Sequence, residues 1–192
     1  MMGRERKFTK KELFQKTREL LLEVGYEAFT FSLLSERIEA SRATIYKYFN
    51  NKDDLITEFM IFEMNEFLAK LKRVETYHNF EEQFEYLMDV IFERTDIKDL
   101  IEITMHVQAD SHHKAKENME QFDSMRLKMY DCLQNFIVLG KKEKRLNENL
   151  PDTLILGFIF QSIAIPNHFN LPRSEWVQAI KEIIGHGIFK KH

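Results

Sequence analysis

Few residues in this sequence have the types and spacing for covalent or metal chemistry. His106, His112 and His113 fall near one another, but the spacing matches no standard zinc set and no cysteine or paired carboxylate completes it. The single cysteine, Cys132, follows Asp131 without a neighbouring base to activate its thiol, so it reads as a packed helix residue. A phosphate-binding glycine loop, a serine elbow and a zinc-protease helix are all missing from the sequence. This pattern predicts no enzyme, no metal and no cofactor. What is left is the chemistry of cations, hydroxyls and aromatic rings. Ser41, Arg42, Thr44, Tyr46, Lys47, Tyr48 and Lys52 crowd into twelve positions, and such groups hydrogen-bond phosphate oxygens and the edges of bases.

The elements that would position them can be read from caps and periodicity. Thr9-Lys10-Lys11-Glu12 is a capping-box pattern, followed by Leu13, Phe14, Thr17, Leu20, Leu21 and Val24 on one helical stripe that Gly25 stops. A second, short helix is predicted over 31–38, starting on Thr30 or Ser32, and a third over 42–48, starting on Ser41. Two short helices joined this tightly behind a longer one describe a helix-turn-helix unit. Ser41 caps a helix whose free N–H groups and positive dipole end can approach a phosphate. Ile45 and Phe49, four residues apart, would face the core with Leu34 and Ile38, turning Arg42, Ala43, Tyr46 and Lys47 outward towards a major groove. Taken singly, Tyr46, Tyr48 and Phe49 read equally well as core aromatics, and Lys52 as a solvated helix-start lysine.

The run Ser41-x-x-Thr44-Ile45-Tyr46-x-Tyr48-Phe49-x-x-Lys52-x-x-Leu55, behind Gly25-Tyr26, resembles the DNA-binding domain of the TetR/AcrR family of transcriptional regulators. The resemblance covers roughly the first 55 residues. It implies base contacts from Arg42, Ala43, Tyr46 and Lys47, and backbone contacts from Thr30, Ser32, Thr44, Tyr48 and Lys52. It also implies a homodimer, a double-stranded operator, and a repressor released by a small effector ligand. Two positions depart from the family pattern: Glu39 stands in the turn and Ala43 on the third helix, where the family usually has glycine. A left-handed backbone at Glu39 would cost about 1 kcal/mol.

The rest of the chain is helical by the same signals, giving an all-α fold of about nine helices. A three-helix N-terminal DNA-binding domain over 1–55 precedes a ligand-binding and dimerisation domain over 56–192. Asn51 opens a long helix to about Val74, Asn79 to Glu82 opens the next, and Asp96 to about Gln108 forms another. One long helix is predicted from Lys114 to Leu139, ended by Gly140; Pro151 and Asp152 open an almost wholly apolar one, and Ser174 starts the last. Net charge is −3, but residues 1–54 carry 11 basic against 9 acidic side chains and the remainder 17 against 22. Arg4, Arg6, Lys7, Lys10 and Lys11 form a basic arm placed to meet phosphate.

The most apolar run, Leu154 to Ile165, is too short for a membrane span. With one cysteine and no secretory signal, a cytoplasmic protein is expected. Because one short recognition helix reads only a few base pairs, two copies are needed. The last two helices are the expected interface, through Leu156, Ile159, Phe160, Ile163, Trp176, Ile180 and Ile184. Met60, Phe67, Phe84, Met88, Phe92, Met105, Phe122, Met125, Met129 and Phe158 would suit either a pocket for a bulky apolar ligand or a plain core. Two other functions fit the composition: an apolar-ligand carrier or small helical enzyme without DNA binding, and a DNA-binding protein that answers to a partner protein or acts as an activator.

Overall fold

The computed structural model describes residues 8–94, 96–107 and 112–188. Arg4, Arg6 and Lys7 of the expected basic arm lie outside the described residues. Among those residues the regular structure is helical, with no strand. In chain order the α-helices are α1 (Lys10–Ala28), α2 (Phe31–Arg37), α3 (Arg42–Tyr46), α4 (Lys52–Leu71), α5 (Phe80–Phe92), α6 (Ile97–Thr104), α7 (His113–Asp131), α8 (Gln134–Lys142), α9 (Asp152–Gln161) and α10 (Arg173–Ile188). Short 3-10 turns follow α4 at Lys72–Thr76 and α9 at Ser162–Ala164.

Local chemistry explains most of the boundaries. Thr9 and Glu12 form the expected capping box, each side chain bonding the other's backbone N–H, worth about 1 kcal/mol. The helical run of α1 breaks at Gly25, whose φ of 73° and ψ of 177° suit glycine alone. Thr30, not Ser32, caps α2, accepting from Leu33 N at 3.2 Å. Asn51 accepts from Asp54 N at 2.8 Å, and Asp53 and Asp54 meet the positive end of α4.

Two boundaries differ from expectation. The helix expected over 114–139 is interrupted after Asp131, where Leu133 N donates to Tyr130 O and the tightened turn leaves Leu133, Phe136 and Ile137 all buried. Gly140 does not end α8. It lies inside it, where a Cβ would come within 2.6 Å of Leu146 Cδ1 and of the Phe80 ring. Its role is close approach, and the stop falls to Lys144 at φ 57°. There Lys144 N donates to Lys141 O and Arg145 N to Gly140 O, the paired bonds of a Schellman ending.

Contacts divide the chain into two compact units. The first comprises Met1–Met64 and Asp96–Ser124, the second Asn65–Thr95 and Met125–His192. Helices α4 and α7 therefore contribute residues to both. The first core joins Leu13, Phe14, Leu20 and Leu21 of α1 to Leu34, Ile45, Phe49, Leu55, Ile56 and Phe59, with α6 closing over α1 through Leu100. In the second, Phe80 of α5 stacks on Phe136 of α8 at 4.8 Å, and Phe160 of α9 meets Phe67 and Tyr130 edge-on.

Candidate nucleic-acid interface

The turn between α2 and α3 sets the geometry of the surface. Ile38 ends α2, Glu39 follows at φ 51°, Glu39 N donates to Glu36 O and Ala40 N to Ser35 O. This is again a Schellman ending, here with glutamate in the left-handed position. The turn keeps the geometry that glycine would give it, with the cost of a Cβ included. Ser41 then caps α3, its Oγ accepting from Thr44 N at 3.2 Å and meeting Thr44 Oγ1 at 2.9 Å.

Helix α3 spans only Arg42–Tyr46, shorter than the expected 42–48. Ile45 is its one buried side chain. Phe49 is also buried, in the same core as Leu34 with Ile38 packed against it, as the four-residue spacing predicts. Arg42, Ala43, Tyr46 and Lys47 are exposed together. The two tyrosines that could have been core aromatics are not core: Tyr46 is 56% and Tyr48 66% exposed. Each is propped rather than buried, Tyr46 edge-on against Phe31 at 5.0 Å and Tyr48 against Phe8 at 6.0 Å. Arg42 Nη1 donates to Ser32 Oγ at 3.2 Å, tying α3 to α2. Thr30 is exposed, and Ser32 and Thr44 are half-buried.

Lys52 is built into the protein more than its sequence context suggests. Its ammonium donates to Tyr26 O at 3.1 Å and sits 4.0 Å from the centre of the Tyr26 ring. The Tyr26 hydroxyl in turn donates to Asp53 Oδ1 at 2.6 Å, with both residues buried. Lys10 of the arm pairs with Glu58 of α4. Arg18 pairs with Glu63, both mostly buried, fastening α1 to α4. Charges among these residues thus also hold the unit together, and a surface pair of this kind contributes only about 0–1 kcal/mol.

The remaining sequence-predicted residues are dispersed. Met60, Phe84, Met88 and Met125 are buried, Phe67, Phe92, Phe122 and Met129 half-buried. Met105 is 78% and Phe158 61% exposed, so neither lines an interior. Of the expected interface, Leu156, Ile159, Ile180 and Ile184 are buried inside the single chain, where α9 packs on α10, and are already partnered. Phe160, Ile163 and Trp176 are half-buried. The side chains these helices turn outward are Leu154, Phe158 and Ile183. Helix α9 carries apolar residues on its inner and outer faces alike, so periodicity does not tell one from the other.

Sequence reasoning also misses Phe8, the Tyr26–Asp53 pair, and Asn118, whose amide donates to Thr57 Oγ1 at 3.0 Å across 61 residues. Asp53 in a first helical turn reads only as a dipole partner, and nothing in the spacing announces a bond that long-range. Among the described residues no group of three or more histidines, cysteines and carboxylates is placed to hold a metal, and no helix is long and apolar enough to cross a membrane.

Residues 13–59 match the family model of the bacterial regulatory proteins of the tetR family. The HTH-type transcriptional regulator YdeS of Bacillus subtilis, itself uncharacterised, is 28% identical over 159 residues, covering 82% of this chain and 79% of its own. The fold matches that of the FadR regulator of Bacillus subtilis in complex with stearoyl-CoA at a TM-score of 0.70 and 16% identity, over 94% of this chain and 100% of that one. It matches the ketosteroid regulator KstR2 of Mycobacterium tuberculosis at 0.70 and 16%, over 95% of each chain. The helix-turn-helix segment thus matches the tetR family of bacterial regulatory proteins, and the fold of the chain matches that of solved transcriptional regulators over nearly its whole length.

Proposed function

We propose that the protein is a homodimeric repressor that holds a palindromic operator through residues 1–55 and leaves it when a small apolar molecule binds within residues 56–192. The observation that carries the DNA-reading half is the combination on α3: Ile45 fully buried, and Arg42, Ala43, Tyr46 and Lys47 exposed around it. A helix anchored by one core residue and capped by Ser41 presents its outer side chains with little freedom to lose on binding. In this reading those four meet base edges, with the Ala43 methyl suited to a thymine methyl. Thr30, Ser32, Thr44, Tyr48 and Lys52 meet the backbone. Lys52 would do so from its seat on Tyr26, which fixes where the charge stands.

Dimerisation is needed for two recognition helices to read half-sites about 34 Å apart. Leu154 and Phe158, one turn apart on α9, and Ile183 on α10 supply exposed apolar surface that a second copy would cover. The apolar effector is supported by the stock of adaptable methionine and large aromatic side chains inside the second unit, Met88, Met125 and Phe84 among them. It is supported also by the shared fold of FadR, which holds stearoyl-CoA.

Selection of bound duplexes from a random library, followed by a salt titration of the winner, tests this reading. A palindrome with half-sites one helical turn apart is expected, with a steep salt dependence. Lys47→Ala should weaken binding about tenfold and relax the preference at the base pair it meets. No enriched sequence, together with weak binding at low salt, would overturn it in favour of an apolar-ligand carrier.

A further inference from the structure

A hydrogen-bonded chain runs through the first unit from α7 to the corner that precedes α2. Asn118 of α7 is 3% exposed, and its Nδ2 donates to Thr57 Oγ1 of α4 at 3.0 Å. Thr57 is fully buried and its hydroxyl donates to Asp53 O at 2.7 Å. The Asp53 carboxylate accepts from the Tyr26 hydroxyl at 2.6 Å, and the Tyr26 carbonyl accepts from Lys52 Nζ at 3.1 Å and from Phe29 N at 3.3 Å. Tyr26 directly follows the break at Gly25, and Phe29 directly precedes the Thr30 cap of α2. A second contact reaches the same turn of α4 from the start of α7, where His112 Nε2 lies 3.9 Å from Asp53 Oδ2.

Burying polar groups in a core that could be apolar costs stability unless each is satisfied, and a satisfied network fixes one geometry against the alternatives. Apolar contacts have no preferred direction, whereas a hydrogen bond is made in one geometry only. The Asn118 amide and the Thr57 hydroxyl allow one register.

We infer that Asn118 is a positioning residue for DNA binding. Through Thr57 it holds the first turn of α4 in the register at which Asp53 receives the Tyr26 hydroxyl, and so fixes the corner from which α2 and α3 project. Helix α7 thereby gains a direct hold on the recognition element, and a change in α7 that withdrew Asn118 would loosen that element without touching it. The inference rests on the DNA-reading role of α3, and its test separates the two.

The test uses the full chain in five forms: wild type, Asn118→Leu, Thr57→Val, Thr57→Ser and the double variant Asn118→Leu with Thr57→Val. Asn118→Leu keeps the number and branching of the heavy atoms and strands no donor on Thr57, whose hydroxyl still bonds Asp53 O. Thr57→Val removes the hydroxyl at constant shape, and Thr57→Ser retains it as the rescue. Two readouts are taken, affinity for the selected operator and amide hydrogen exchange over residues 26–46. Asn118→Leu and Thr57→Val should each weaken operator binding about tenfold and speed exchange in that segment, while Thr57→Ser stays within twofold of wild type in both. The combination Thr57→Val with Asn118→Leu should be no weaker than either single change, because both cut one link. If exchange over residues 26–46 is unaltered in both folded single variants, the positioning role is overturned. If no DNA is bound by wild type, the DNA-reading role fails, and exchange alone still decides whether Asn118 fixes this corner.

Discussion

The two sets of exposed side chains with candidate roles differ in kind. Around α3 they are mostly charged and aromatic, and three are held from within: Arg42 by Ser32, Tyr46 by Phe31, Tyr48 by Phe8. On α9 and α10 they are aliphatic or phenyl, Leu154, Phe158 and Ile183, with nothing polar to offer. Polar exposure with internal props suits a partner that supplies phosphates and base edges. Bare apolar exposure suits a partner that supplies more of the same, and covering a single phenylalanine is worth about 1.5–3 kcal/mol.

The sharpest way to break that contrast is to make the apolar side polar. Phe158→Glu should convert the proposed dimer to monomer in sedimentation and cost about 100-fold in operator affinity, because the two half-sites are then read independently. Leu127→Glu is the control, since Leu127 is 69% exposed on α7 and lies outside the proposed interface. A Phe158→Glu protein that sediments as a dimer would move the interface elsewhere.

The second unit's stability has its own sensitive point in Gly140, which the sequence reads as a helix stop. A methyl group on its Cα would lie 2.6 Å from both the Phe80 ring and Leu146 Cδ1, so Gly140→Ala should cost about 1–3 kcal/mol. That corresponds to a fall in Tm of about 3–10 °C by differential scanning calorimetry. An unchanged Tm would mean that the Phe80 ring can step aside despite its stack on Phe136.

Phe158 and Gly140 show where sequence is legible and where it is not. The caps at Thr9, Ser41, Asn51 and Asn79 are readable because a cap is a bond between residues three apart. The inward pair Ile45 and Phe49 is readable because α2 and α3 each turn a distinct apolar face inward. Gly140 misleads because stop and close approach use the same residue, and only the position of Phe80, far earlier in the chain, separates the two uses. The inner and outer faces of α9 are not told apart in the sequence, because Leu156 and Ile159 inside and Leu154 and Phe158 outside are the same kind of residue. Tyr26–Asp53 and Asn118–Thr57 are bonds between distant segments, and no local pattern marks them.

Glu39 sharpens the comparison from the DNA-reading side. It occupies the left-handed position of the turn at φ 51°. Glu39→Gly should relieve about 1 kcal/mol of backbone strain, partly offset by the greater chain entropy of glycine when unfolded. The expected net is a rise in Tm of about 1–3 °C, with operator affinity unchanged within twofold because the turn already has the glycine geometry. A large change in affinity would place the Glu39 side chain itself in contact with DNA.

The smallest expected effect lies in the second unit and depends on pH. Lys181 of α10 sits between Glu85 and Asp89 of α5, at 2.5 and 3.0 Å. Partial burial on its own would lower the lysine pKa, but the hydrogen bonds to Glu85 and then Asp89 outweigh it, and the group ends above its ordinary value. A raised folded pKa means that the pairing stabilises fully below the unfolded lysine value, about 10.4, and is lost as pH rises through the higher folded one. Wild type should therefore lose stability more steeply than Lys181→Met when urea midpoints are followed upward from about pH 9. Below that range the two curves should run parallel, with wild type slightly the more stable. Both acidic partners are more than half exposed, so the gap should be small and should narrow further in high salt. Curves that stay parallel through the alkaline range would show that the Lys181 pairs with Glu85 and Asp89 add nothing measurable to stability.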